Sequence, residues 1–424
     1  MHDLAIIVFW IILVVAALEI GLFFLIKKLR KDFQWLITAE DEIPIFPSDL
    51  LKRFFENSFD PELGWVTKAN SQVQERGGTV GEQTGQYKKS TYHINGQGCR
   101  INPGYEDQPA IISTYGDSFV FSRQVEDDET WQHFLSRMIH SNVLNFGVGN
   151  YGFDQALLRL KREYEKKPTP VVIIGVVPET IVRILSVWKH YSEYGNILAF
   201  KPRFEMNNGD LAVIRNVIDS QDKFGGFQDY LPHLQGHDYF YKNKFRRDII
   251  RFPYLFSIMR NCRRNVPLVM SLTARKILLA MGMEDRGANR PWEMVLERNF
   301  SIVRNLYRTP CAVDLFLKIL DDFAAWGRKK GFHPVFLFMP YLHDLLYIKD
   351  HECYYSKFVI QARKILQTID LTAPLLNMDS LDTIYAHDFY GGHLCRAGNE
   401  FVAQIIADHL AKNIADFKHM AGHA

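Results

Sequence analysis

From Leu4 to Ile26 the chain reads LAIIVFWIILVVAALEIGLFFLI, with Glu19 as its only charge. At roughly 1.5 Å of rise per residue, a helix of that length matches a hydrocarbon layer of about 30 Å. No basic segment precedes the run, it is too long for a signal-peptide core, and no small-x-small cleavage site precedes the basic residues after it. A membrane anchor is therefore expected, carrying the rest of the chain as a soluble domain. A carboxylate in lipid is costly, so Glu19 is expected near an interface, facing a partner, or protonated. Before the run the polar residues are only His2 and Asp3, whereas Lys27, Lys28, Arg30 and Lys31 follow it. The positive-inside rule then places the domain in the cytoplasm. Cys99, Cys262, Cys311, Cys353 and Cys395 are scattered, odd in number and without metal-ligand spacing, which reads as reduced thiols and points the same way.

The formal net charge of +2 gives no nucleic-acid footprint. Three stretches are expected: an anchor over 1–30, a connecting arm over 31–108, and one domain over 109–424 with an insertion at about 190–308. The arm contains TYHINGQGCR, whose Asn95-Gly96 pair reads as a hairpin turn. From residue 110 short apolar runs alternate with amphipathic helical patterns. AIISTYG, VLNFG, the β-branched run PVVIIGVV, PVFLFMP and PLLNMD (Pro374 to Asp379) read as strands. Between and after them ETWQHFLSRMIH, FDQALLRLKREYEK, Pro178 to about Trp188, AVDLFLKILDDFAAWGRKKG, SKFVIQARKILQT and AGNEFVAQIIADHLAKNI read as helices. Strands alternating with helices predict a parallel sheet covered on both faces, an α/β fold. The insertion is aromatic, basic and irregular, apart from a helix near PLVMSLTARKILLAMG. A lid and a surface for lipid or a membrane partner are its two competing roles.

Gly116-Asp117-Ser118 directly follows the first core strand. The carboxyl edge of a parallel sheet collects functional groups. A serine passing there from strand to helix exposes its hydroxyl, and its N–H can face a developing oxyanion. Gly391-Gly392-His393 stands before the last helix and would return to the same edge. Ser118 and His393 are thus a candidate nucleophile and base, distant in sequence and adjacent in space. Arg183, one turn past Glu179, is expected to pair with it on the surface. No Walker loop, dinucleotide fingerprint or zinc-spaced cluster occurs, so no cofactor or metal is expected.

These blocks resemble those of the SGNH (GDSL-type) hydrolases over about half the chain. Tyr115-Gly116-Asp117-Ser118 resembles the first block, and Asn145 to Gly152 (NFGVGNYG) the second. His393-Leu394 with Ala397-Gly398-Asn399 resembles the last. The run NFGVGNYGFDQALLRL is similar to membrane-associated members from bacterial surface-polysaccharide loci. The resemblance implies a flavodoxin-like three-layer α/β/α fold and an acyl-serine mechanism, with an oxyanion hole from the N–H groups of Ser118 and Asn150. It also implies an acylated carbohydrate or lipid as substrate, with the bilayer and a membrane acyltransferase as partners. The chain departs from the family at three points. The third block, usually Gly-x-Asn-Asp, here reads Gly175-Val176-Val177-Pro178. Asn150 stands where the second block has a glycine. Tyr390 occupies the place of the triad acid, three before the histidine, which leaves Asp388 or Asp379 to orient His393, or a dyad. The expected function is a serine ester hydrolase or O-acyltransferase. The alternative is a membrane-tethered binding or scaffold protein with a decayed site.

Overall fold

The computed structural model describes residues 2–76, 89–283, 289–386, 392–415 and 417. In chain order its principal elements are α1 (His2–Asp32), β1 (Ser71–Arg76), β2 (Lys89–Ile94), β3 (Ala110–Gly116), α2 (Trp131–Ile139), β4 (Asn142–Gly147), α3 (Phe153–Glu163), β5 (Val171–Val176), α4 (Tyr254–Arg260), α5 (Cys262–Ala280), α6 (Pro310–Lys330), β6 (His333–Phe338), α7 (Ser356–Ile365), β7 (Gln367–Asp370) and α8 (Arg396–Asn413). They belong to two compact units. One holds Met1–Leu51, Trp188–Ala199 and Gly226–Ile302; the other holds Lys52–Val187, Phe200–Gly225 and Val303–Ala424.

The second unit is built on five parallel strands in the order β7-β6-β5-β3-β4. Counted from β3, that is 2-1-3-4-5, the flavodoxin-like order, whose switch point lies between β3 and β5. The β-branched run of β5 is buried along its whole length, as a central strand covered on both faces requires. Trp131, Phe134 and Leu135 of α2 share one core cluster with Val402, Ala403, Ile406 and Leu410 of α8 and with the sheet residues Ile112, Val143 and Ile173. On α3, α6 and α7, Phe153, Phe316 and Phe358 pack their rings on Phe336 of β6. The result is three layers, α/β/α, as expected. Right-handed crossovers between parallel strands produce this arrangement.

Two elements differ from the sequence reading. PLLNMD is not the last strand: Thr372–Leu376 is helical and Asp379 lies exposed in the turn beyond it. The last strand is β7, only four residues long and paired on one side with β6. An edge strand needs little apolar length, and its first residues, Gln367-Thr368, continue the helical pattern of α7. The helix expected from Pro178 to Trp188 is a single turn, Thr180–Arg183. The buried Lys201 ammonium binds the carbonyls of Arg183 and Ser186 and the carboxylate of Asp154, which turns the chain out of helix there.

The arm residues from Lys52 on belong to the sheet unit. The Asn95 turn closes with Asn95 N–H to Cys99 O at 2.9 Å, and Ile94 bridges Arg100, so the hairpin exists. The long partner of β2, however, is β1 upstream. Arg100 also bridges Asn145, attaching the hairpin to the edge strand β4.

In the first unit, α1 is the one helix among the described residues long and apolar enough to cross a membrane. Its last turns, through Ile26 and Leu29, pack with Phe33, Leu36, Ile250, Ile258, Leu268, Val269 and Leu272. All five cysteines are free thiols.

Candidate active site

β3 runs into the loop through Gly116, whose φ is +151°. A Cβ there would lie 1.9 Å from the Gly175 carbonyl oxygen, so only glycine lets β3 and β5 approach this closely. Gly147 ends β4 with equal economy of space, since a Cβ would meet Phe121 N at 2.2 Å. Between these glycines sits one turn of helix, Ser118–Phe121.

Asp117 holds that turn. One carboxylate oxygen accepts the Phe119 N–H at 2.9 Å, as an N-cap does. The other accepts the Val177 N–H at 3.0 Å and Arg183 Nη1 at 3.2 Å. Complete burial pushes the Asp117 carboxyl above the ordinary carboxylate range, against the pull of Arg183 and the N–H groups. Arg183 is buried, not on the surface as the sequence reading placed it. It does pair with Glu179 at 2.7 Å, while its other nitrogen is shared by Asp117 and the Tyr151 carbonyl.

The Ser118 hydroxyl lies 2.9 Å from His393 Nε2, and both residues are buried. The segment carrying His393 is tied down on either side. Ala386 N–H donates to His393 O at 2.8 Å, and Cys395 N–H to Ile384 O at 2.9 Å. The Asn399 amide donates to the carbonyls of Leu394 and Cys395, fixing the entry into α8. The His393 ring lies against the Phe119 ring, with centroids 5.0 Å apart.

A second group of contacts was not foreseen. His393 N–H donates to Gln124 Oε1 at 3.3 Å, and Gln124 N–H donates to Tyr92 Oη at 2.8 Å. The Tyr92 hydroxyl in turn donates to Glu75 at 2.6 Å, and Glu75 also pairs with Arg123. Beneath them the buried Arg100 binds Asp127 at 2.7 Å and the carbonyls of Phe121, Ser122 and Val125. The hairpin thus clamps the loop that follows Ser118. No sequence signal marks these partners, which lie on segments far apart in the chain.

Asn150 takes φ +68°, the left-handed conformation for which a glycine would serve, and asparagine tolerates it best among other residues. Val177, where the family has its asparagine, is wholly buried in the core cluster. Glu179, two residues on, is a carboxylate held by Arg183 and Tyr341 and offers no donor to an oxyanion. Asp388 lies outside the described residues. Asp379, the other acid considered, is exposed and not at a strand end.

No family model and no curated protein matches the chain. Among solved structures it is similar to a lipolytic protein of the G-D-S-L family from Desulfitobacterium hafniense, with 10% identity and a TM-score of 0.32 over 70% of this chain and 98% of that one. It is also similar to a lipase/acylhydrolase from Enterococcus faecalis, with 11% identity and a TM-score of 0.33 over 71% of this chain and 95% of that one. The sheet order, the serine at the turn after the first core strand and the histidine before the last helix give the α/β fold that the resemblance to the SGNH (GDSL-type) hydrolases implies.

Proposed function

We propose that this chain is a membrane-anchored serine esterase or O-acyltransferase acting on an acylated carbohydrate or lipid. The observation that carries the proposal is the 2.9 Å approach of Ser118 Oγ and His393 Nε2 at the carboxyl edge of the sheet. In this mechanism His393 takes the Ser118 proton as the oxygen attacks the ester carbonyl. The N–H groups of Ser118 and Asn150 receive the oxyanion. The ester C–O bond breaks, the alcohol leaves with the proton from His393, and the acyl-serine is resolved by water or by a sugar hydroxyl. Asp388 is the proposed orienting acid. The charge bias around α1 supports a cytoplasmic domain.

One observation favours the alternative, a decayed site kept for binding. Val177 supplies no amide to the oxyanion, and losing one such donor typically costs about 100- to 1,000-fold in rate. A fluorophosphonate probe separates the readings. The enzyme reading expects labelling that vanishes in both Ser118→Ala and His393→Ala; an unlabelled, folded wild type would favour the binding protein.

A further inference from the structure

Glu19, the one charge in the apolar run, has a use. Its carboxylate accepts the backbone N–H groups of Tyr254 and Leu255 at 2.5 and 2.9 Å. The first N–H groups of a helix lack intrahelical partners, so Glu19 caps α4. The start of α4 therefore lies at the level of residue 19 along α1. That level is inside the apolar run. Ile20 and Phe24 are 60% and 64% exposed, and the first basic residue, Lys27, follows Glu19 by about 12 Å of helix. If lipid covers Phe24, it also surrounds the start of α4.

The segment has the surface that this position demands. Ser257 and Ile258 turn inward, while Phe252, Phe256 and Met259, spaced four and three apart, are 72%, 64% and 61% exposed. Phe256 and Met259, three apart, share one face of α4, and Phe252 stands exposed just before its N-cap, Pro253. The exposed Arg247, Arg260 and Arg263 flank them, with stems long enough to reach phosphates at the membrane surface. Unsatisfied backbone groups are not tolerated in hydrocarbon, and the Glu19 cap removes two at the tip.

We propose that Phe252–Met259 is a second membrane-inserted element, seated in the acyl chains of an anionic leaflet beside α1; the proposal rests on α1 spanning the bilayer. It turns a single flexible tether into a two-point attachment that fixes the orientation of the first unit at the membrane.

The test uses the full chain in vesicles of phosphatidylcholine and phosphatidylglycerol. Cys262, Cys311 and Cys353 are changed to serine, and single nitroxides are placed at Ile12→Cys, Phe252→Cys, Phe256→Cys and Asp210→Cys. Collision with oxygen reports lipid exposure, and collision with a water-soluble nickel chelate reports solvent exposure. The oxygen-to-nickel ratio at 252 and 256 is expected to match that at 12 and to exceed that at 210. A ratio at 256 equal to that at 210, with 12 still in lipid, would overturn the proposal and leave the anchor intact. Position 12 open to nickel would instead overturn the anchor itself. Protection of 256 from both reagents would assign the face to a protein contact and also overturn the proposal.

Discussion

Asn150 shows a backbone conformation usual for glycine taken up by another residue. It stands where the resemblance expects a glycine, and it occupies the left-handed region at φ +68°. Asparagine has a short polar side chain and visits that region without the penalty a branched residue meets. Asn150→Gly is therefore expected to keep kcat on a chromogenic ester. Asn150→Val faces about 1–2 kcal/mol of backbone strain, which is expected to move the N–H away from the proposed oxyanion position. Its kcat is expected to fall by about 100-fold while KM changes less. Equal kcat values in the two variants would remove Asn150 from the oxyanion hole. Arg183 carries the opposite lesson. Its i,i+4 spacing from Glu179 was readable, but its burial was not, because the partner that draws it inward, Asp117, is 66 positions away.

Among the elements, those with a strong period were legible and those defined by their neighbours were not. β5 and α6 stand where apolar patterning puts them, and Gly331 ends α6 in the left-handed conformation. β7 was hidden because an edge strand of four residues has too little pattern to stand out beside a helix. The short helix Lys189–Ser192 depends on a tertiary contact in the same way. His190 Nε2 donates to the Asp41 carbonyl at 2.9 Å, and Nδ1 faces the Gly195 N–H. Burial pulls the His190 pKa down from 6.5 to about 4. Between those values the unfolded chain binds a proton that the folded one does not. Stability therefore falls as pH drops through that window and is fully present above pH 6.5, by up to about 3 kcal/mol from this group. Thermal melting of the detergent-solubilised chain between pH 6.5 and 4 is expected to show that slope, and His190→Gln is expected to flatten it. An unchanged slope in the variant would assign the acid sensitivity to other groups.

For the whole molecule, the long apolar helix and the class of fold were readable, since one follows from an apolar run and the other from strand–helix alternation. The division into units was not, because it depends on residues 226–302 packing with the N-terminal helix rather than on any local composition. The proposed orientation rests on four basic residues after the apolar run. Alkaline phosphatase fused after Ala424 in a bacterial host is expected to be inactive; an active fusion would reverse the orientation and move the substrate outside the cytoplasm. The central claim, catalysis through Ser118, is tested most directly by intact-mass and peptide spectrometry after brief exposure to an activated acyl ester. The account predicts one acyl group per chain, carried on the peptide containing Ser118, chased by water or an acceptor alcohol, and absent from Ser118→Ala. Turnover that persists undiminished in Ser118→Ala, or an acyl group carried elsewhere, would contradict it.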